Sequence, residues 1–421
     1  MNYRRIAPLV LLALAVGRWF VQPSGTGRAF HPRYHIDVDV YRVGGRALLD
    51  GADLYSSYFP LSINFALPFT YPPFSALLST VLAPLPLWGA GAAVTLVSLL
   101  ALWLGMFLLL RELIPHRDYL TWSLWATLAG ALTEPVTETL FFGQVNLILA
   151  ALVLVDFFAV PRGSRWRGCL TGIAMAVKLT PAVFLAVPFV RREWRMFATI
   201  VASFITCGLL GFAVTPGNSR EYWTETLRHS DRIGNASYAA NQSLRGVLTR
   251  LEPGGAGTLW AIGAIVVVAV LWVIMEAAAR RCGSDVGLVL LASSAALLCS
   301  PISWSHHFVW LTFAIAVMAA TGHRAAAGLT WAVLVARGHW LVPPHHSTTD
   351  HWSAWQHIIG NDDFLLTCVL IGYAAYLTFS GHRGRLHPST GDSGRSSATH
   401  PLGVGGARSG VGKRRPLPEH P

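Results

Sequence analysis

Five groups of polar residues interrupt the largely apolar chain of 421 residues, and most have a chemical reading. The first is Asp37-Val38-Asp39-Val40-Tyr41. A carboxylate near hydrocarbon is costly unless it has a partner or a task, so Asp37 and Asp39 are functional candidates by default. They match the paired acids that hold a divalent cation against the diphosphate of a nucleotide sugar, although nothing else here looks like a nucleotide-binding α/β domain. They also fit acids that cap or brace a loop, and in an extended segment both would point to one side. The second group centres on Lys178, which with Lys413 makes up the only lysines among 32 basic residues. An ammonium beside the helix breaker Pro181 suits an anion such as a phosphate, or snorkels to the interface. In the third, Trp304, His306 and His307 close an apolar run. The histidines suit phosphate or hydroxyl recognition or plain packing, and no acid or cysteine is spaced to complete a metal site. Trp304 fits an aromatic belt or a face on which a sugar stacks. The fourth group, Asn241, Gln242 and Arg245, offers amides and a guanidinium for sugar hydroxyls and phosphate oxygens. Its alternative is a helix cap at Asn241 or Ser243 leading into Leu244 to Leu251. Glu134, Glu138, Gly143, Gln144 and Asn146 form a further polar patch.

The elements that position these groups are read from composition. Hydrophobic residues make up 53% and charged residues only 13%, against roughly a quarter charged in soluble domains, which excludes a soluble enzyme. Apolar runs such as Ala92 to Leu110, Ala198 to Val214, Ala261 to Ala279 and Leu365 to Leu377 approach the ~20 residues that span a bilayer core. The chain is therefore expected to be an all-α, multi-span membrane protein. Its five cysteines form no CxxC pair and read as small buried hydrophobes. Placing the Arg-rich turns in the cytoplasm gives about 12 transmembrane helices with both termini inside. Large outer loops then fall at residues 22–88 and 216–258. The proline-containing segment Tyr71 to Leu87 reads as re-entrant or surface-lying, and two short half-helices are expected to meet at Lys178-Leu179-Thr180-Pro181. Residues 1–380 form the membrane domain, and residues 381–421 a disordered cytoplasmic tail. That tail holds seven basic groups against two acidic ones, so the net charge of +11 reflects sidedness and anionic lipid, with no nucleic-acid partner.

Taken in order, Asp37-Val38-Asp39-Val40-Tyr41, Gly44-Gly45, Leu54-Tyr55, Phe69-Thr70-Tyr71-Pro72-Pro73, Gly143-Gln144-Val145-Asn146, Lys178-Leu179-Thr180-Pro181, Asn241-Gln242-Ser243 and Ser300-Pro301-Ile302-Ser303-Trp304 make the chain resemble glycosyltransferase family 87. The resemblance runs from about Asp37 to His307. It implies a GT-C-type glycosyltransferase fold in the plasma membrane with an extracytoplasmic active site. It further implies inverting transfer of mannose from polyprenol-phosphate-mannose to a mannosylated glycolipid, with an α-1,2 linkage in phosphatidylinositol mannoside, lipomannan or lipoarabinomannan synthesis. Asp37 would be the catalytic base, and Asp39 is an extra acid in the family's pattern. Lys178, His306, His307 and Arg245 would face the donor phosphate. Asp39, Tyr71, Gln144, Asn146, Asn241, Gln242 and Trp304 would complete the substrate site. The lipid bilayer and two lipid-borne substrates are the partners implied, with no metal and no cofactor beyond the donor. The rival class is a transporter or flippase of a lipid-linked sugar, which inverted repeats or midplane charges would favour.

Overall fold

The computed structural model describes residues 3–23, 30–55, 58–252, 254–344 and 351–380. The basic tail, His345 and His346 lie outside the described residues. The chain opens with α1 (Tyr3–Phe20), and a hairpin of β1 (Val21–Pro23) and β2 (Phe30–Pro32) leads to α2 (Ile36–Leu49). A second hairpin, β3 (Tyr58–Pro60) with β4 (Ala66–Pro68), and the seven-residue α3 (Pro73–Ser79) precede the long apolar α4 (Leu87–Leu113). There follow α5 (Tyr119–Ala131), α6 (Glu134–Phe142), α7 (Asn146–Phe158), α8 (Cys169–Val177), a 3-10 turn at Thr180–Leu185, α9 (Ala186–Arg191) and α10 (Trp194–Val214). Helices α11 (Pro216–Thr224) and α12 (Leu244–Leu251) occupy the next long connection, and α13 (Ala256–Arg281) and α14 (Val286–Cys299) run to a 3-10 turn at Ser305–His307. The described chain ends with α15 (Val309–Ala320), α16 (Arg324–Ala336), a 3-10 turn at Gly338–Trp340, α17 (Ala354–Ile359) and α18 (Asp362–Phe379).

Among the described residues, α4, α10, α13 and α18 are each long and apolar enough to cross a membrane. A fifth crossing arises if α6 and α7, bent by 115° at their junction, count as one. Three shorter apolar helical stretches, Thr180–Arg191, α14 and α15, supplement them. The apolar window of α4 is 61% buried, against 17% for α10 and α13, so α4 is the interior helix and those two lie outside. Around α4 pack α5, α7 and α15. Exposed Leu209, Ile265 and Val273 on the outer helices form surfaces too apolar for water but suited to lipid.

The fold bears on two local readings. In the segment from Tyr71, residues 71–76 are buried and α3 packs against α2 and α10, whereas Leu78, Val81 and Leu85 are exposed. Pro73 occupies the first turn of α3, where its missing N–H costs nothing, so the proline starts the helix. The acids at 37 and 39 stand on a helix and not on a strand. Two residues at 100° each put them on opposite sides, which removes the paired-acid reading. The break at Lys178 is present as the sequence suggests: α8 ends at Val177 and Lys178 is extended, with φ −149° and ψ 132°.

Asp39 is the brace of this region. It is 1% exposed, accepts from the Tyr34 hydroxyl at 3.0 Å and the Ser62 amide at 2.8 Å, and pairs with Arg42 at 3.3 Å. It thereby ties α2 to the loop of the second hairpin. The other constraint on α2 is Gly143, which ends α6 with φ +72°. A Cβ there would collide with Val38 Cγ2, so the glycine supplies both the left-handed turn and the room for α2.

Two outcomes follow for stability. Asp39→Ala is expected to cost about 2 kcal/mol or more by stranding charge-assisted hydrogen bonds, read as a lowered unfolding midpoint of the detergent-solubilised protein. Gly143→Ala should cost about 1–2 kcal/mol from its backbone alone, plus the collision. Adding Val38→Ala to Gly143→Ala should remove the collision's share only, so the two substitutions will be non-additive in a double-mutant cycle.

Candidate active site

The polar groups converge where four helix ends meet. The first turn of α2 supplies Asp37, and the α6–α7 bend supplies Gln144 and Asn146. The α8 break supplies Lys178, and the 3-10 turn before α15 supplies His306 and His307. Helix ends leave backbone groups unpaired and force chain reversals, so polar side chains collect there.

Lys178 is the hub. Its Nζ donates to Asn146 Oδ1 at 3.0 Å and lies 3.1 Å from His307 Nε2 and 5.9 Å from the centroid of the Tyr71 ring. An ammonium has only donors, so Nε2 of His307 accepts and the imidazole is neutral. Burial and the charge of Lys178 both hold His307 well below the ordinary histidine range, in agreement. Asn146 in turn donates to the carbonyl of His306 at 2.8 Å, which also receives the Thr139 hydroxyl at 2.9 Å. The histidine turn is thus fixed to α6 and α7 through its backbone, which leaves the rings available. His306 packs edge-on against Phe142 and His307, and its Nε2 is buried with no hydrogen-bond partner.

On the other side of Lys178 stands a ring of hydroxyls around Gln144. Tyr41 donates to Gln144 Oε1 at 3.1 Å, Gln144 Nε2 donates to the Tyr71 hydroxyl at 3.0 Å, and the two tyrosine oxygens lie 3.2 Å apart. Asp37 faces this ring and is influenced by both Gln144 and Lys178. Burial pushes its carboxyl up to about 7, against the opposing pull of Lys178 and Gln144. A carboxyl balanced near neutrality can take up a proton at physiological pH, which suits a general base.

A cleft opens beside the hub. Asn146, Lys178, Ser303 and His307 form its polar end, while Leu149, Val153, Phe184 and Trp310 continue it along the helices as an apolar wall. Asp37 does not line this cleft and reaches it through Gln144 and Lys178.

Asp37, Tyr71, Gln144, Asn146, Lys178, His306 and His307 therefore belong to one site, whereas other candidates are used elsewhere. Asn241 and Gln242 are fully buried. Asn241 accepts from the amides of Ser243 and Ser303 and donates to the Ala236 carbonyl. Gln242 donates to the carbonyls of Ala239 and Gly360. Their amides clamp three loops together, and their complete burial keeps a sugar away. The capping alternative holds at Ser243, whose hydroxyl accepts from the Gly246 amide to start α12. Arg245 sets its guanidinium 5.8 Å from the Trp260 ring and does not line the cleft. Trp304 pairs its backbone with Asn241 and packs its ring against Tyr238, so it too is part of the clamp. Asp39 is the brace described above. Tyr41, Ser303 and Trp310 join the site although the sequence gives them no role of their own, because each reads as part of a motif or as ordinary aromatic content of an apolar chain.

Behind the histidine turn lies a second polar cluster. Glu134 Oε1 accepts from the Ser305 hydroxyl at 2.7 Å and Trp340 Nε1 at 2.9 Å, and is 3.1 Å from His339 Nε2. Nδ1 of His339 lies 2.8 Å from Asp362 Oδ1. The sequence reading noted Glu134 as part of a polar patch and missed His339, Asp362 and Asp363, which no local pattern connects to residue 134.

Comparison with known proteins supplies the family. The profile described as glycosyltransferase family 87 matches residues 69–301, which include Tyr71, Gln144, Asn146 and Lys178. A polyprenol-phosphate-mannose-dependent alpha-(1-2)-phosphatidylinositol mannoside mannosyltransferase of Mycobacterium tuberculosis is 37% identical, covering 78% of this chain and 82% of its own. Its namesake in Mycolicibacterium smegmatis is 38% identical over 78% and 80% of the two chains. A polyprenol-phosphate-mannose-dependent alpha-(1-2)-phosphatidylinositol pentamannoside mannosyltransferase, also of Mycolicibacterium smegmatis, is 34% identical over 73% and 74%. No solved structure matches the chain. With more than half of the sequence matching the family profile, and relatives of this identity over most of its length, the chain belongs to glycosyltransferase family 87.

Proposed function

We propose that this glycosyltransferase moves mannose from a polyprenol phosphate to a phosphatidylinositol mannoside and forms an α-1,2 bond. The observation that carries the reading is Lys178 held against Asn146 and His307 at the polar end of a cleft whose remaining wall is apolar. A phosphate with an isoprenoid tail needs both halves of that cleft. The names of the three relatives supply the donor and the acceptor class. Membership of a glycosyltransferase family also favours transfer over the transport alternative.

In the reaction we envisage, an acceptor hydroxyl oxygen attacks the anomeric carbon on the face opposite the phosphate. The new C–O bond forms as the bond to the phosphate oxygen breaks, and the polyprenyl phosphate leaves with the electron pair. Asp37 takes the hydroxyl proton, and the configuration inverts from β to α. The leaving group is already a stable anion, so no strong general acid is needed, and the scheme calls for no metal at the reacting atoms. Lys178 stabilises the charge that grows on the phosphate, with His307 as a neutral neighbour, a role worth about 3–4 kcal/mol in comparable sites. Holding two lipid-anchored reactants side by side contributes the rest. We read the long and short apolar helices together as a GT-C bundle of about 12 crossings in the plasma membrane. Both termini are cytoplasmic and the Asp37 site faces outward in this reading.

Transfer of radiolabelled mannose from polyprenol phosphate to phosphatidylinositol mannosides by the purified protein tests this directly, with linkage read by α-1,2-specific mannosidase digestion. Asp37→Asn is expected to lower kcat by about 10²–10⁴-fold with folding retained, the range for loss of a general base. Equal activity in the variant would move the base elsewhere. The elevated Asp37 carboxyl also sets a pH profile. Only the ionised form accepts a proton, so log kcat/KM should fall with unit slope as pH drops below about 7 and level off above it. A profile flat from pH 5 to 8 would remove Asp37 from the proton transfer.

A further inference from the structure

The cluster behind the histidine turn carries more negative charge than its own donors balance. Glu134 begins α6, Asp362 and Asp363 begin α18, and His339 sits on the 3-10 turn between α16 and α17. Glu134, His339 and Asp363 are each 1% exposed. Three carboxylates thus surround one imidazole, whose two nitrogens face Glu134 Oε1 and Asp362 Oδ1. The nearby Glu138 already has its own cation in Arg337, at 3.2 Å. Asp362 spends its second oxygen on the Gly338 amide at 2.7 Å. Two buried oxygens remain, Glu134 Oε2 and Asp363 Oδ2, and neither has a hydrogen-bond partner. Unpaired carboxylate oxygens in so dry a place are costly.

Protonation does not fully relieve that cost. A proton shared by the two acids would join them by a hydrogen bond, and a proton on one acid alone would leave a buried hydroxyl without an acceptor, yet neither oxygen has any partner. One ligand atom each of Glu134, His339 and Asp363 lies within 4.8 Å of the other two. A cation with metal–oxygen bonds of about 2.1–2.4 Å holds its ligands at about that separation or less. We propose that Glu134 Oε2 and Asp363 Oδ2 bind a hard divalent cation of the Mg2+ or Mn2+ class beside His339. The ligand class follows from the atoms on offer: the imidazole nitrogens are occupied by carboxylates, which leaves oxygens.

The cation joins the start of α6 to the start of α18. Through the other oxygen of Glu134 it fixes Ser305, the residue before His306 and His307. It stands apart from the transfer step, and its existence does not rest on the proposed reaction. The test uses tag-free, chelator-treated full-length protein titrated with Mn2+ and followed by the paramagnetic resonance of the free ion. One Mn2+ per chain, displaced by excess Mg2+, is expected, with at least tenfold weaker binding in Asp363→Asn. Because that variant could unfold, the wild type carries a second arm. Its unfolding midpoint should fall on chelation and recover on adding Mn2+. Binding that is unchanged in a folded Asp363→Asn, or a wild-type midpoint indifferent to chelator and to Mn2+, would overturn the assignment.

Discussion

The contact of Lys178 with Asn146 and His307 is the constraint around which the rest of the molecule is arranged. An ammonium in an apolar bundle is tolerated only where several acceptors meet it, and no single helix can supply them. Four chain reversals therefore have to be brought to one place: the start of α2, the α6–α7 bend, the α8 break and the turn before α15. Each has its own local cause. Gly143 permits the bend, Pro181 and the extended Lys178 make the break, and Asn146 and Thr139 seize the His306 carbonyl to hold the turn.

That arrangement explains why the two neighbouring acids differ so completely. Asp39 faces the hairpin and is consumed by Tyr34, Ser62 and Arg42. Asp37, one step round the helix in the other direction, faces Gln144 and Lys178 in a site with few compensating donors, and its affinity for a proton rises accordingly. The same carboxyl chemistry serves support in one case and is left reactive in the other. The environment that makes the difference is supplied by Asp39 itself, which fixes how α2 is rotated.

The long connection between α10 and α13 has a supporting role of the same kind. Asn241, Gln242 and Trp304 use their polar groups and ring on neighbouring chain, binding the start of α12 to the turn after α14 and to the start of α18. Their presence in a run of otherwise apolar sequence signals structure that water cannot complete. Glu134 extends this support to the histidine turn through Ser305.

By itself the sequence determined the helical membrane class, because a chain with 13% charged residues has too little polar surface to face water. It also determined the family through an ordered set of short motifs, the break at Lys178-Pro181, and the isolated polar residues as places where chemistry or support had to be. What it could not determine was which of these served which purpose. Asp37 and Asp39 look alike until the segment is known to be a helix, since a period of 3.6 separates what a period of 2 would have joined. Asn241 and Gln242 look as suitable for a sugar as Gln144 does until their backbone partners, up to 122 residues away, are known. The meeting of Glu134 with His339 and Asp363 is wholly a product of the fold. Sequence order carries the type of each residue and its local conformation, whereas the use of a hydrogen-bonding group depends on what is packed against it, and that is fixed only when distant helices come together.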